Sequence, residues 1–263
     1  MSIGKVIMWC VLASSAFATQ VQAQDEAALR EAERLGMALF ELDRAVQAAQ
    51  EAGQELRAFR RDDDVQGWVA ERAGDGSHAI MFVGATRNDE IVGRYRVSVN
   101  RSGHVFEEME RLEDVPLNDR QQAQFLARQR AASVEHTACS GTYDTVVLAD
   151  TIQGASGWRA YLLPRAAFPD VHLLGGTYRA DLNAQGTTVR YFQPLASGCS
   201  VLQNVADAPA LQFADEAVAG PNELHVYISQ RLDKPLYVSA GGGENTWLIQ
   251  DGRIRAVQGV PGQ

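Results

Sequence analysis

Ile91-Val92-Gly93-Arg94-Tyr95-Arg96-Val97-Ser98-Val99-Asn100-Arg101-Ser102-Gly103 decides the fold. Ile91, Gly93, Tyr95, Val97 and Val99 fall on one side, and Arg94, Arg96 and Ser98 on the other. A period of two marks a strand with one buried face. Asn100 to Gly103 reads as a turn, with Gly103 where a hairpin wants positive φ. His104 to Glu107 then returns. A second stretch, Gly176-Thr177-Tyr178-Arg179-Ala180-Asp181-Leu182-Asn183-Ala184-Gln185-Gly186, lines up with residues 93–103 without a gap. Gly, Tyr, Arg, Asn and Gly recur at 93/176, 95/178, 96/179, 100/183 and 103/186. Each copy follows an apolar strand, 79–83 or 160–163. The match points to a repeated hairpin unit, with a chance likeness between two Gly- and Asn-bearing turns as the equally open alternative.

Strands dominate outward from these two copies. Candidates are 68–72, 145–148, 158–163, 177–182, 187–192 and 200–203, then a last meander over 223–230, 236–240, 246–250 and 253–257. Residues 204–221 read as irregular. The connections within the meander are too short for a crossover, so its neighbours are expected to be antiparallel. Gly241-Gly242-Gly243 lies between two strands, so it reads as a loop and not as a phosphate cradle, which needs a helix N-terminus. The acidic run Glu107, Glu108, Glu110, Glu113 and Asp114 reads as a solvated face.

Two helices break the pattern. In residues 26–60, Leu35, Leu39, Leu42, Val46, Ala49, Gly53 and Leu56 recur at spacings of four and three. That is the seam of an amphipathic helix, bounded here as 24–61. Ala49 and Gly53 weaken the seam, and Gly53 marks a possible kink. The short strong part favours a helix lying across its own domain. The alternative is a homodimer through residues 26–60. A second helix is expected over 117–135, with Asn118 as N-cap and Gln121 completing a capping box.

Residues 1–23 have the layout of a secretory leader: Lys5, an apolar run over Val6–Ala18, and a small-residue cleavage pattern ending at Ala23. Cutting there leaves no apolar segment to serve as a transmembrane anchor. The expected address is therefore periplasmic or secreted. Cys139 and Cys199 are the cysteines beyond the leader, and two thiols in an oxidising compartment are most simply one disulfide. A metal site adding His136 is the weaker alternative. Zinc wants three or four ligands, and no second Cys/His cluster has that spacing.

The chain has 263 residues, 46% hydrophobic and 22% charged, with a formal net charge of −9. These are globular proportions. The acidic balance argues against nucleic acid, which demands a basic footprint. Motifs for nucleophile elbows, zinc proteases, P-loops and dinucleotide folds are missing, and no cofactor or metal is expected. One polar feature stands out, which is arginine on strands. Arg96 and Arg179 hold matching places in the suspected repeat, each beside a tyrosine, Tyr95 and Tyr178. These four residues are the candidate ligand-binding set, a guanidinium face for an anionic envelope component or a protein partner. The competing view is ion-paired, solvent-facing arginine in a chain whose only lysines are Lys5 and Lys234.

The expected fold is α+β: a long N-terminal helix, then antiparallel β-meanders over residues 62–263 with one inserted helix, stapled by one disulfide. The expected function is that of an exported, non-catalytic protein binding an envelope component or protein partner. The alternative is an extracytoplasmic hydrolase whose active site is assembled only in the fold. No catalytic residue is nominated.

Overall fold

The computed structural model describes residues 11–152, 154–166, 171–202, 205–215, 218–240 and 245–257, with side chains from Glu26 onward. The leader expected over 1–23 falls on residues outside this set and on helix backbone without described side chains. The loop at Gly241–Gly243 also lies outside it.

The fold is α+β and begins with a helix of 45 residues, α1 (Val11–Glu55). A one-turn helix, α2 (Arg57–Arg60), follows a break at Leu56, whose ψ of 111° is extended. The break lies just past Gly53, which packs against Phe59. The leucine seam is core. Leu35, Leu39, Leu42, Val46 and Ala49 are all at most 5% exposed within this one chain, so the seam is filled by the protein's own strands and by its last helix, through Leu224, Val226 and Ile228. Truncating one such leucine typically costs about 2–5 kcal/mol.

The first sheet is a meander in the order β1 (Val65–Arg72), β2 (His78–Ala85), β3 (Ile91–Val99) and β4 (Val105–Pro116). Tyr95, Val97 and Val99 turn inward to the α1 leucines, as the alternation predicts, but an irregular register between Gly93 and Tyr95 turns Ile91 and Gly93 to a second apolar cluster with Met81 and Leu112. The acidic run is a solvated face, as expected, and lies on β4, an edge strand solvated on nearly every residue. Charges suit an edge, because they discourage pairing with another chain.

The inserted helix α3 (Asp119–Ala132) has the expected capping box. The Asn118 side chain accepts from the Gln121 amide at 2.9 Å, and Gln121 accepts from the Asn118 amide at 3.0 Å. The second sheet follows in the order β5 (Tyr143–Ile152), β6 (Ala155–Pro164), β8 (Tyr178–Asn183) and β9 (Val189–Pro194). A two-stranded ladder, β7 (His172–Leu173) with β10 (Val201–Leu202), stands beside it. The disulfide Cys139–Cys199 spans 60 residues and ties the loop after α3 to the approach to β10, with Cα atoms 5.3 Å apart.

The last unit departs from expectation in two places. Residues 223–230 form not a strand but most of α4 (Glu223–Leu232). All of Glu223–Ser229 is buried, so the helix shows no polar face to reveal its period. The stretch read as irregular contains β11 (Leu211–Asp215), which pairs parallel with β12 (Leu236–Ala240). The helix between them supplies the crossover that parallel pairing requires. The meander through β13 (Asn245–Gln250) and β14 (Arg253–Val257) is antiparallel.

The two matching segments occupy matching places. β3 and β8 are each the third strand of a four-stranded meander, and each meander follows a helix. The turns after them share a backbone hydrogen bond, although the first closes onto the fourth residue after its asparagine (His104) and the second onto the fifth (Thr188). The Gly103 amide donates to the Asn100 carbonyl at 2.9 Å and the Gly186 amide to the Asn183 carbonyl at 3.0 Å. Both glycines have positive φ, 82° and 70°. Each turn rests on the helix that precedes its sheet, Gly103 against Arg44 of α1 and Gly186 against Ala123 of α3.

Candidate functional site

Helix α1 joins the three units through four carboxylates, one turned to each of the first two sheets and two to the last unit. Glu31 meets Arg159 of β6 at 3.2 Å. Glu33 accepts from Arg253 and from the Ile254 amide at the β14 end. Glu41 is held between Arg72 of β1 at 2.8 Å and Arg101 of the β3–β4 turn at 3.0 Å. Asp43 accepts from Gln47, Tyr227 and Arg231 at 2.7–2.9 Å, which fastens α4. Burial raises the Asp43 pKa, and Arg231 and Tyr227 oppose that rise.

The open edges of the first two sheets, β1 and β5, face each other without pairing. Gln124 of α3 stands between them, 4% exposed. Its Oε1 accepts from the Ala70 amide at 3.0 Å, and its Nε2 donates to the Val147 carbonyl at 3.2 Å. One side-chain amide thus does what a peptide group of an intervening strand would do, satisfying one orphan donor and one orphan acceptor. Arg120 and Arg128 lie one helical turn to either side, on the same face. Each stacks on a tryptophan, Arg120 over Trp158 at 5.7 Å and Arg128 over Trp68 at 4.6 Å.

A cavity lies on each side of Gln124. The smaller, about 530 Å³, is bounded by Ala70, Val147 and Trp158. The larger, about 880 Å³, runs from Trp68 past Arg128 to α4 and opens to solvent beside Glu51 and Gln54 of α1. Phe59, Phe82, Leu163, Leu224 and Ile228 supply apolar wall. Its volume lies in the range of small-molecule sites, roughly 300–1,000 Å³.

The charges along this cavity are unequally matched. Arg165 grips Asp144 with two nitrogens, both at 2.5 Å. Arg231 is paired with Asp43. Arg128 forms no ion pair among the described residues, and its Nη1 is shielded from solvent with no hydrogen-bond partner. Desolvation pulls the Arg128 guanidinium down to about 10. Tyr227, at the same wall, is pushed far above its usual range, first by burial and then by Asp43, which suits a donor and not a nucleophile. A second buried network, formed by Arg179, Glu223, Asp181, Arg159 and Asp150, joins β8, α4, β6 and β5.

The four residues singled out in the sequence do not share a surface. Tyr95 is 1% exposed and donates to Asp62, whereas Arg96, on the opposite face of β3, pairs with Glu110 at 2.7 Å. Tyr178 stacks on Phe192 and donates to the Thr137 carbonyl. Arg179 is bound to Glu223 at 2.7 Å. Their matching positions are corresponding places in two separate meanders. His136 is enclosed by Tyr143 and Tyr178, and its Nδ1 lies 2.7 Å from the Val134 carbonyl. Among the described residues no group of three or more His, Cys, Asp or Glu is placed to hold a metal, and no helix is long and apolar enough to cross a membrane. The spacing of Arg120, Gln124 and Arg128 was the available signal for the cleft. It marks one helix face but not what that face meets.

No protein-family model matches the chain, and no curated protein matches it. Among solved structures, the C-terminal domain of Bacillus megaterium YpeB is similar at 13% identity, over 58% of this chain and 66% of that one, with a TM-score of 0.19. The chain therefore spans just under two thirds of that structure, and at this TM-score the likeness sets neither fold nor function.

Proposed function

We propose that the protein is exported, cut after Ala23, and acts in the periplasm or outside the cell as a non-catalytic binding protein. The large cavity is its receptor site. The observation that carries this is the cavity at the meeting of the β1 edge, the β5 edge and α4. Open edges bridged by a single glutamine leave room that a paired ladder would have closed. The disulfide supports an oxidising address. On the non-catalytic side, Asp144 and Asp43 are engaged by arginines, and Tyr227 is held protonated by its surroundings.

The test is native mass spectrometry of the protein isolated from the envelope fraction. The expected result is a retained non-covalent adduct. Gln50→Trp, which fills the cavity from the solvent side of α1, should remove that adduct without unfolding the protein. An adduct that survives Gln50→Trp, or none in either protein, would count against the cavity as receptor.

A further inference from the structure

Arg128 is the cation at this cavity that has no ion-pair partner among the described residues. It projects from the middle of α3 into the wall of the 880 Å³ cavity, 4.6 Å above the Trp68 ring. The Trp68 side chain is itself 4% exposed. The neighbouring arginines at this cavity have carboxylate partners. Arg165 takes both oxygens of Asp144, and Arg231 takes Asp43. The carboxylate whose field reaches Arg128 is that same Asp144, already gripped from its other side. Nη1 of Arg128 is sheltered from water and has no acceptor. A sheltered guanidinium nitrogen without an acceptor costs free energy, and the residue, only half-buried as a whole, borders the cavity.

We infer that the cavity receives a molecule with an apolar body and a single anionic group, its carboxylate held by the Arg128 guanidinium against Trp68. This rests on the reading of the cavity as a receptor site and adds the chemistry of the occupant. A guanidinium presents parallel N–H donors that match a carboxylate. Stacking on Trp68 fixes the plane of those donors before the ligand arrives. The apolar wall formed by Phe59, Phe82, Leu163, Leu224 and Ile228 takes the body. One uncompensated positive charge calls for one negative charge, which favours an amphiphilic acid over a polyanion.

The test is isothermal titration of the disulfide-intact protein with dodecanoate and, as the uncharged probe of equal length, dodecanol, both below their aggregation limits. Dodecanoate should bind saturably, one per chain, and at least about tenfold more tightly than dodecanol. Arg128→Gln should weaken dodecanoate about tenfold or more and bring acid and alcohol to the same affinity. Arg128→Lys, which keeps the charge, should retain a preference for the acid, and it keeps the test alive should the glutamine variant fail to fold. Equal binding of acid and alcohol by the natural protein, or dodecanoate affinity unchanged in Arg128→Gln, would overturn the anionic assignment and leave the receptor cavity standing. No saturable binding of either probe would overturn it as well. In that case the Gln50→Trp mass measurement decides separately whether the cavity is a receptor.

Discussion

Asn100 and Asn183 make the same hydrogen bond in two different sheets: Asn100 Oδ1 accepts the His104 amide at 2.9 Å, and Asn183 Oδ1 accepts the Thr187 amide at 2.9 Å. Each asparagine closes a turn whose glycine, three residues on, has positive φ and lies on the preceding helix. A short polar side chain that bonds its own turn favours this geometry. The two turns fix how each helix sits across its sheet.

The helix contact differs between the two turns, and that difference is measurable. A Cβ at Gly186 would run into the carbonyl oxygen of Ala123 and the amide of Ala127, which are helix backbone and cannot swing away. At Gly103 it would meet the flexible Arg44 side chain. Both substitutions strain a positive φ, at about 1 kcal/mol or more. Gly186→Ala should therefore lose clearly more stability in urea titration than Gly103→Ala, by roughly 1–3 kcal/mol for the added overpacking. Equal losses would mean that the α3 contact is looser than described.

Gln124→Leu removes the bridge between the first two sheets while keeping volume. It leaves the Ala70 amide and the Val147 carbonyl without partners. Each buried orphan costs about 1–3 kcal/mol, so the protein should lose roughly 2–6 kcal/mol. Hydrogen exchange should locate the loss. The Ala70 amide should exchange much faster in the variant, while amides within the β2–β3 ladder change only in step with global stability.

Which parts of this molecule were legible in the chain follows from how each part meets water. The strand alternates between dry and wetter residues over 95–99, so its period shows there, whereas the irregularity before Tyr95, which buries Val92 and Gly93 side by side, leaves no mark in the pattern. Helix α3 announces itself through Asn118 and Gln121. Helix α4 carries the same kind of cap, with Asn222 as N-cap and His225 in the place where Glu or Gln would be expected. Burial on every side and the run Val226-Tyr227-Ile228 gave it the look of a strand. Strand β11 was hidden because its partner, β12, lies beyond a helix crossover. At the candidate site, Arg128 is an ordinary surface arginine on a helix until β1 brings Trp68 beneath it. Only the tertiary arrangement shows that Asp144 is already taken.

The Cys139–Cys199 disulfide closes a 60-residue loop that holds all of β5, β6, β8 and β9. Restricting the unfolded chain over such a loop is worth up to about 4 kcal/mol on the loop-entropy model. The double variant Cys139→Ser/Cys199→Ser should lose about 2–4 kcal/mol in urea. Reducing agent should lower the stability of the natural protein to a similar level and leave the variant unmoved. Insensitivity of the natural protein to reduction, with both thiols titrating in the folded state, would show that the bridge is not formed.

His225 should make stability depend on pH in a defined window. Its ring is fully buried at the start of α4, against Phe213. Nδ1 accepts the Asn222 amide, so the neutral ring carries its proton on Nε2, and that atom has no partner among the described residues. Desolvation pulls its pKa from 6.5 to about 4, against a smaller opposing effect of Asp215. The folded pKa is depressed, so the unfolded chain binds more protons between the two values. The contribution is then fully present above about 6.5 and is lost as pH falls towards about 4. Its full size is on the order of 3 kcal/mol. His78, also depressed chiefly by burial, adds in the same direction. Asp43 and Asp181, raised first by burial, act oppositely, because they favour the folded state where they are protonated and lose that contribution as pH rises through their folded values. The net slope therefore mixes signs, and the difference between proteins isolates the histidine. Urea titrations near neutral pH and at roughly pH 4.5 should show His225→Gln losing about 2–3 kcal/mol less on acidification than the natural protein. Parallel losses in the two would mean that the imidazole titrates normally, and hence that the first turn of α4 opens to water well below the cost of global unfolding.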